Sequence, residues 1–460
     1  MALRNNRMLS LDDLRGRIAA GQIDTVIVAF TDMQGRLQGK RLHAQYFLDF
    51  AVEHGTEGCN YLLGVDVDMN TVDGYAITSW ERGYGDMEFV LDFATLRVLT
   101  HLPATAMIQC DLVWPPQPGA EHAPVVQSPR TILKQQLARA ADLGFAAFAG
   151  TELEFICFED TYEDAFRANY RDLTPVNQYN VDYSILGGTR IEPLLREIRN
   201  TMYAAGMEVE GAKGECNFGQ HEIGFLYDEA LVTADNHAVY KTAAKEIAAQ
   251  HGKSLTFMAK YDQREGNSCH IHLSLRGTDG SIVFWDDASG TRTPLYDQFV
   301  AGLLATMTDL TLLYAPNINS YKRFADGSFA PTAIAWGEDN RTCAVRLVGR
   351  GAGARLENRV PGGDVNPYLA LAAMLAGGLY GIENQLELEP ALEGNAYTSG
   401  RPRVPGSLRD ARDAFTASAI ARGAFGDEVV DHYTNMADVE LKAFDAAVTD
   451  WELKRSFERM

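Results

Sequence analysis

Cysteine is sparse and unpaired: six residues, at 59, 110, 157, 216, 269 and 343, with no Cys-x-x-Cys. That spacing excludes a zinc ribbon or a disulfide frame and reads as reduced thiols in a cytosolic protein. No apolar run reaches ~18 residues, so no membrane span is expected. Leu369–Tyr380 comes closest and reads as a buried helix after Asn366-Pro367. The stretch Met1–Ser10 is polar and basic without an apolar core, so it is not a signal peptide. Basic residues are in deficit: 41 Lys and Arg face 62 Asp and Glu, a net charge of −21. That balance argues against a nucleic-acid partner, because phosphates would be repelled. No phosphate-binding loop is present. His251-Gly252-Lys253-Ser254 matches the end of one, but Ile247 stands where the first glycine belongs. Gly349-Arg350-Gly351-Ala352-Gly353 lies between predicted strands and lacks the helix of a dinucleotide fingerprint, so it reads as a turn. There is no internal repeat and no low-complexity tract.

What remains is a chain of 460 residues, long enough for a large domain plus a smaller one. Leu9–Gln22 reads as an amphipathic helix capped by Ser10, followed by a strand at Ile23–Phe30 and a hairpin into Leu37–Leu42. The proline-rich stretch 114–124 reads as a linker and places a boundary near 113. Ser128-Pro129 starts a helix that ends at Gly144, and Phe145–Phe158 is a strand. Helices are predicted at Ile191–Ala205, Thr233–His251, Thr293–Leu313, Asn366–Leu386, Ser407–Ser418 and His432–Arg459. Ser254–Tyr261 and Ser268–Arg276 read as adjacent antiparallel strands, with further strands at Ala344–Val348 and Ala354–Val360. The class is α+β.

Three segments place ionisable residues two apart between apolar ones: Thr151–Phe155, Cys269–Leu273 and Arg355–Val360. In a strand, i and i+2 share a face. Glu152 with Glu154, His270 with His272, and Arg355, Glu357 and Arg359 therefore each crowd one side. Glu215 and Glu222 flank a turn between them. Five Glu with one or two His suit hard cations such as Mg²⁺ or Mn²⁺. Any one pair could equally be a solvated strand face, and His-x-His alone is more often structural than ligating. Arg323, Arg341, Arg346, Arg355 and Arg359 reverse the chain's acidity locally. They serve either as salt-bridge partners of the Glu or as clamps in phosphoryl transfer.

Together these segments resemble the glutamine synthetase family over nearly the full length. The matching stretches are Gly150–Phe155, Gly219–Glu222, Gly266–Ser274, Asn319–Arg323, Asn340–Thr342 and Asn366–Ala370. The resemblance implies an N-terminal β-grasp domain (1–113), a linker (114–127) and a catalytic domain (128–460) with an antiparallel sheet funnel. It implies a homododecamer of two hexameric rings, and ATP-driven activation of glutamate as γ-glutamyl phosphate. It assigns Glu154, Glu215 and Glu222 to one cation and Glu152, His270 and Glu357 to another, with two or three Mg²⁺ or Mn²⁺ per subunit. His272, Ser274, Arg346 and Arg355 fall where the family contacts ATP. Arg341, Arg346 and Arg359 match the phosphate clamp. Arg323, Gly266 and Arg359 match the glutamate site. Tyr397 falls in a loop that some relatives adenylylate, a regulation not expected here.

The chain departs from ammonia-using relatives at the amine site. Phe329 stands where they carry a flap glutamate, and Glu265 where they carry an asparagine. Asp66, with Asp68 second, is the candidate carboxylate contributed by a neighbouring subunit. These departures, with the wording of Gly58–Leu63 and Arg264–Ser268, resemble the γ-glutamyl–amine ligases, whose acceptor is ethanolamine, a polyamine or an alkylamine. Such an amine is protonated at neutral pH, and Asp66 or Glu265 would have to deprotonate it. The alternatives are an ammonia-dependent glutamine synthetase, a non-catalytic relative, which the intact ligand set opposes, and a metal hydrolase, which the arginine set opposes.

Overall fold

The computed structural model describes residues 8–116, 119 and 121–460. Residues 1–7 of the N-terminal stretch, and Gln117, Pro118 and Ala120 of the expected linker, lie outside the described residues.

The first helix, Leu11–Ala19, begins at a reciprocal cap. Ser10 Oγ accepts from the Asp13 amide at 3.1 Å, and Asp13 accepts from the Ser10 amide at 3.0 Å. Strands Thr25–Thr31 and Leu37–His43 then form a hairpin. Its turn is held by Asp32, whose carboxylate accepts from the amides of Gln34 and Arg36. Thr25–Thr31 runs parallel to Thr105–Trp114, which pairs with Asp86–Val98, which pairs with Thr56–Cys59. This mixed sheet contains the N-terminal strands.

The second sheet carries the charged segments. Its order is Trp336–Glu338, Val345–Val348, Arg355–Asn358, Cys269–Gly277, Phe145–Phe158, Gln220–Phe225, Val209–Gly214. All neighbours along this path are antiparallel except the first pair. The register sets the chemistry. Glu152 lies opposite His270, His272 opposite Glu357, Glu154 and Lys213 opposite Glu222, and Arg346 opposite Glu357. Directly opposed side chains in a ladder have Cβ atoms about 5 Å apart, so the three alternating segments become one continuous charged face.

Behind the sheets lie Pro129–Asp142, Ala230–Gln250 and Pro367–Glu383. The last is the most apolar helix and is buried almost throughout, as expected for Leu369–Tyr380. Helix Pro294–Ala305 crosses it where glycines meet: a Cβ on Gly381 would lie 2.0 Å from the Gln298 carbonyl oxygen. Glycine is required there for backbone approach.

Several expected elements differ. Thr293–Leu313 is broken at Thr306, whose hydroxyl bonds back to the Gly302 carbonyl at 2.9 Å before the chain resumes at Met307. Ser254–Tyr261 shortens to Ser254–Thr256 and pairs with Phe145–Phe158, end to end with Cys269–Gly277 instead of beside it. The central strand is long enough to serve both. His432–Arg459 is two helices, Asp427–Ala446 and Asp450–Ser456; the second starts at a Thr449/Glu452 capping box that the helical periodicity concealed. Ser128 precedes its helix without a side-chain cap.

Arg130, on helix Pro129–Asp142, joins the first sheet to helix Ala230–Gln250. Its guanidinium reaches Asp92 at 2.6 Å and Asp111 at 2.6 Å on the first, and Asp235 at 2.9 and 3.0 Å on helix Ala230–Gln250. Tyr368 donates to Asp235 at 2.6 Å. Removing one member of a buried ionic network leaves the others uncompensated. Arg130→Met is therefore expected to lower unfolding stability by about 3–5 kcal/mol, read by denaturant titration, with a correspondingly lower Tm.

Candidate active site

The charged sheet face opens into a cleft of about 930 Å³. Glu152, Glu154, Glu215, Glu222, His270 and Glu357 all line it, with Arg341, Arg346 and Arg359, and with Glu265, Gly266 and Phe329. A second cleft of about 980 Å³ adjoins it, lined by His272, Ser274 and Arg355. Glu152 and Glu222 belong to both walls. The carboxylates thus stand at the junction of two chambers.

Two ligand sets converge, each with its donor atoms within 4.8 Å of one another: Glu154, Glu215, Glu222; and Glu152, His272, Glu357. The first is the expected trio. In the second, His272 stands where the resemblance implies His270, and both histidines lie against Glu152. His270 Nδ1 is 3.3 Å from Glu152 and 3.4 Å from Glu357, and His272 Nε2 is 2.9 Å from Glu152. Carboxylate oxygens with imidazole suit a hard divalent cation, and the residues present fit one. A third set, Asp182, Glu215 and Cys216, lies among the cleft-lining residues. Burial and then Asp182 push the Cys216 thiol up to about 11, so it is a neutral group and a poor ligand.

The electrostatics follow from this packing. Burial, then the charge on Glu152, raises Glu222 to about 8, and Glu154 and Glu357 add to it. Burial also works to raise Glu152, but hydrogen bonds from His270 and His272 outweigh it and hold the carboxyl below its usual range. Burial, with Arg359, depresses His270 and favours the neutral imidazole that can bind a metal. Glu357 is fully buried and takes Arg359 at 2.5 Å and Arg346 at 2.9 Å, one on each oxygen. Lys213 bonds Glu215 and lies 3.8 Å from Glu222, supplying positive charge inside the first set.

Other expected residues sit apart. Arg323 is buried behind Gly266, its guanidinium donating to Val360 O at 2.8 Å, Ser268 Oγ at 2.9 Å and Arg359 O at 3.0 Å. Burial pushes it down to about 10. Asp66 lies on the N-terminal part, bonded to Asn70 at 2.8 and 3.0 Å, and does not line the cleft of its own chain. Sequence reasoning missed Lys213, although it shares a strand face with Glu215. It also missed Gln220, whose amide ties Glu154 at 3.1 Å to Gly266 O at 2.9 Å, and Asp182 and Tyr183, which line the same cleft.

Comparison with known proteins fits this geometry. The family described as glutamine synthetase, catalytic domain, matches residues 126–456, and the chain belongs to that family. It is 62% identical to a gamma-glutamylethanolamide synthetase of Streptomyces coelicolor, over 98% of this chain and 96% of that one. It is 37% identical to a glutamate–isopropylamine ligase of a Pseudomonas species, over 96% of both. Among solved structures, a GmaS/ADP complex superposes with a TM-score of 0.82 at 28% identity, covering 97% of this chain and 99% of that one. No helix among the described residues is long and apolar enough to cross a membrane.

The raised Glu222 carboxyl predicts how cation binding depends on pH. Below about 8 it holds a proton that a cation must displace, so binding releases the proton and tightens as pH rises toward that value. Mn²⁺ is expected to raise Tm more at pH 8 than at pH 6. Glu222→Gln, which cannot ionise, removes that difference; differential scanning fluorimetry with and without Mn²⁺ checks both.

Proposed function

We propose that the protein is an ATP-dependent glutamate–amine ligase. It activates glutamate as γ-glutamyl phosphate and joins the γ-glutamyl group to an organic primary amine, giving a γ-glutamylamide, ADP and phosphate. The amine is ethanolamine, or else a polyamine or alkylamine. The observation that carries this reading is the shared wall of the two clefts: cation ligands at the junction, ATP-type contacts on one side and an arginine clamp with an acceptor pocket on the other.

In this reading Glu154, Glu215 and Glu222 hold one cation, and Glu152, His270 and Glu357 another, with Mg²⁺ or Mn²⁺ as the metal and two or three per subunit. Bound there, the cations neutralise the triphosphate and the transferring phosphoryl group. His272, Ser274, Arg346 and Arg355 contact ATP. Arg355 already donates to His272 Nδ1 at 3.2 Å, which presents the two as one surface. Arg341, Arg346 and Arg359 hold the phosphoryl group and the acyl phosphate. Arg323 shapes the glutamate pocket from behind Gly266. Residues 1–113 form the β-grasp domain and 128–460 the catalytic domain, joined by 114–127. Assembly into two stacked hexameric rings brings Asp66 to a neighbour's cleft.

Phe329 directs the choice of acceptor. A phenyl ring cannot take a proton from ammonium, but it packs against a carbon chain and holds a cation on its face. Deprotonation of the amine then falls to Glu265 or Asp66. The test is phosphate release with ATP, glutamate and a panel of amines including ammonium, on wild type, Asp66→Ala and Glu265→Gln. An organic amine is expected to support turnover well above ammonium. Loss of the base lowers kcat by ~100-fold or more. Turnover with ammonium alone overturns the amine-ligase reading, and unchanged amide formation in Asp66→Ala removes Asp66.

A further inference from the structure

Phe329 is more than half exposed, at 55%, and its backbone sits in the left-handed region with φ +58°. A bulky residue stays there only if its surroundings hold it. Two side chains hold its own carbonyl and the next one along. Arg359 Nη2 approaches Phe329 O at 3.4 Å, and the Tyr397 hydroxyl donates to Ala330 O at 2.9 Å. The first contact is long and shared with Glu357; the second is the short one.

Tyr397 is itself well anchored. It lies in the turn Ala396–Thr398, where Asn395 accepts from its amide at 3.0 Å. The turn is tied to the loop that carries Arg341. Asn340 donates to Gly394 O at 2.8 Å, and Thr342 Oγ1 accepts from the Ala396 amide at 2.9 Å. Ala396, Leu392, Ala333, Ala335 and Cys343 make a small apolar cluster of their own beneath. Further along, Ile334 donates to Pro402 O at 2.7 Å and Val404 to Thr332 O at 3.1 Å. The 394–404 segment therefore runs beside the Phe329 segment and meets it through Arg403, which donates to Asp326 at 2.8 Å, and, past Phe329, through the Tyr397 phenol. Burial raises that phenol above its ordinary range, so it stays protonated and remains a donor.

We infer that Tyr397 is a positioning residue for the amine acceptor: by holding the Ala330 carbonyl, its hydroxyl fixes the Phe329 ring against the cleft. The same turn couples that ring to the loop of Arg341, so acceptor wall and phosphate clamp move as one body. This rests on the ligase reading above for its kinetic consequence, but its structural part is independent of it.

Tyr397→Phe removes the hydroxyl and keeps the ring packing. In the substrate-free full-length protein, amide hydrogen exchange across residues 327–332 is expected to speed up about tenfold. The KM for the amine rises about three- to tenfold, the size of one net hydrogen bond, while KM for glutamate and ATP stays within about twofold. In a Phe329→Ala background the same change adds nothing to the amine KM, because the residue acts through that ring. Unchanged exchange overturns the inference, as does faster exchange with an unmoved amine KM, or a parallel rise in all three KM values. If wild type uses no organic amine, the ligase reading fails separately. The exchange result, with KM for ammonium, then decides Tyr397.

Discussion

Five glutamates gathered on one sheet face repel one another, and the rest of the molecule is arranged around that repulsion. Two like unit charges about 5 Å apart cost roughly 3 kcal/mol at an effective dielectric near 20. An exposed salt bridge returns at most about 1 kcal/mol, so scattered surface pairs could not offset several such contacts. The structure instead places positive groups inside the cluster, Lys213 beside Glu215 and Arg346 and Arg359 on Glu357, with both histidines hydrogen-bonded to Glu152. The repulsion they leave falls on Glu222, whose buried and acidic surroundings raise its carboxyl so that it holds a proton below about pH 8. A divalent cation would displace that proton and offset the carboxylates at the junction of the two clefts.

Holding the carboxylates in place requires a stiff frame, which explains features distant from the site. The long strand Phe145–Phe158 pairs on both sides, and helices seal its far face. Glycines let Pro294–Ala305 press onto Pro367–Glu383. Arg130 ties the first sheet to helix Ala230–Gln250, which packs on strand Phe145–Phe158, through three aspartates.

The two halves of the chemistry are built differently. Glutamate activation relies on strands, where register leaves little freedom. In the proposed reading acceptor choice relies on loops: Phe329 in a left-handed backbone, Glu265 before the Cys269–Gly277 strand, and Tyr397 bridging the Phe329 segment to the loop of Arg341. Loops change without disturbing the sheet, so a family can keep one activation step while varying its acceptors.

The sequence by itself determined which residues share a face. Strand alternation has a period of two and needs no partner, so Glu152/Glu154, His270/His272 and Arg355/Glu357/Arg359 were legible, as were Gly and Pro punctuation at Pro129, Gly144 and Pro367. Recognisable motifs then supplied the family and a proposed assignment of ligands. Only the tertiary structure decided what opposes what. Register set His272 against Glu357 and Lys213 against Glu222, and no local pattern encodes register between strands far apart in sequence. The break at Thr306, the shortened Ser254–Thr256 strand and the Tyr397–Ala330 bond are likewise long-range outcomes. Each depends on a contact whose other half lies elsewhere in the chain.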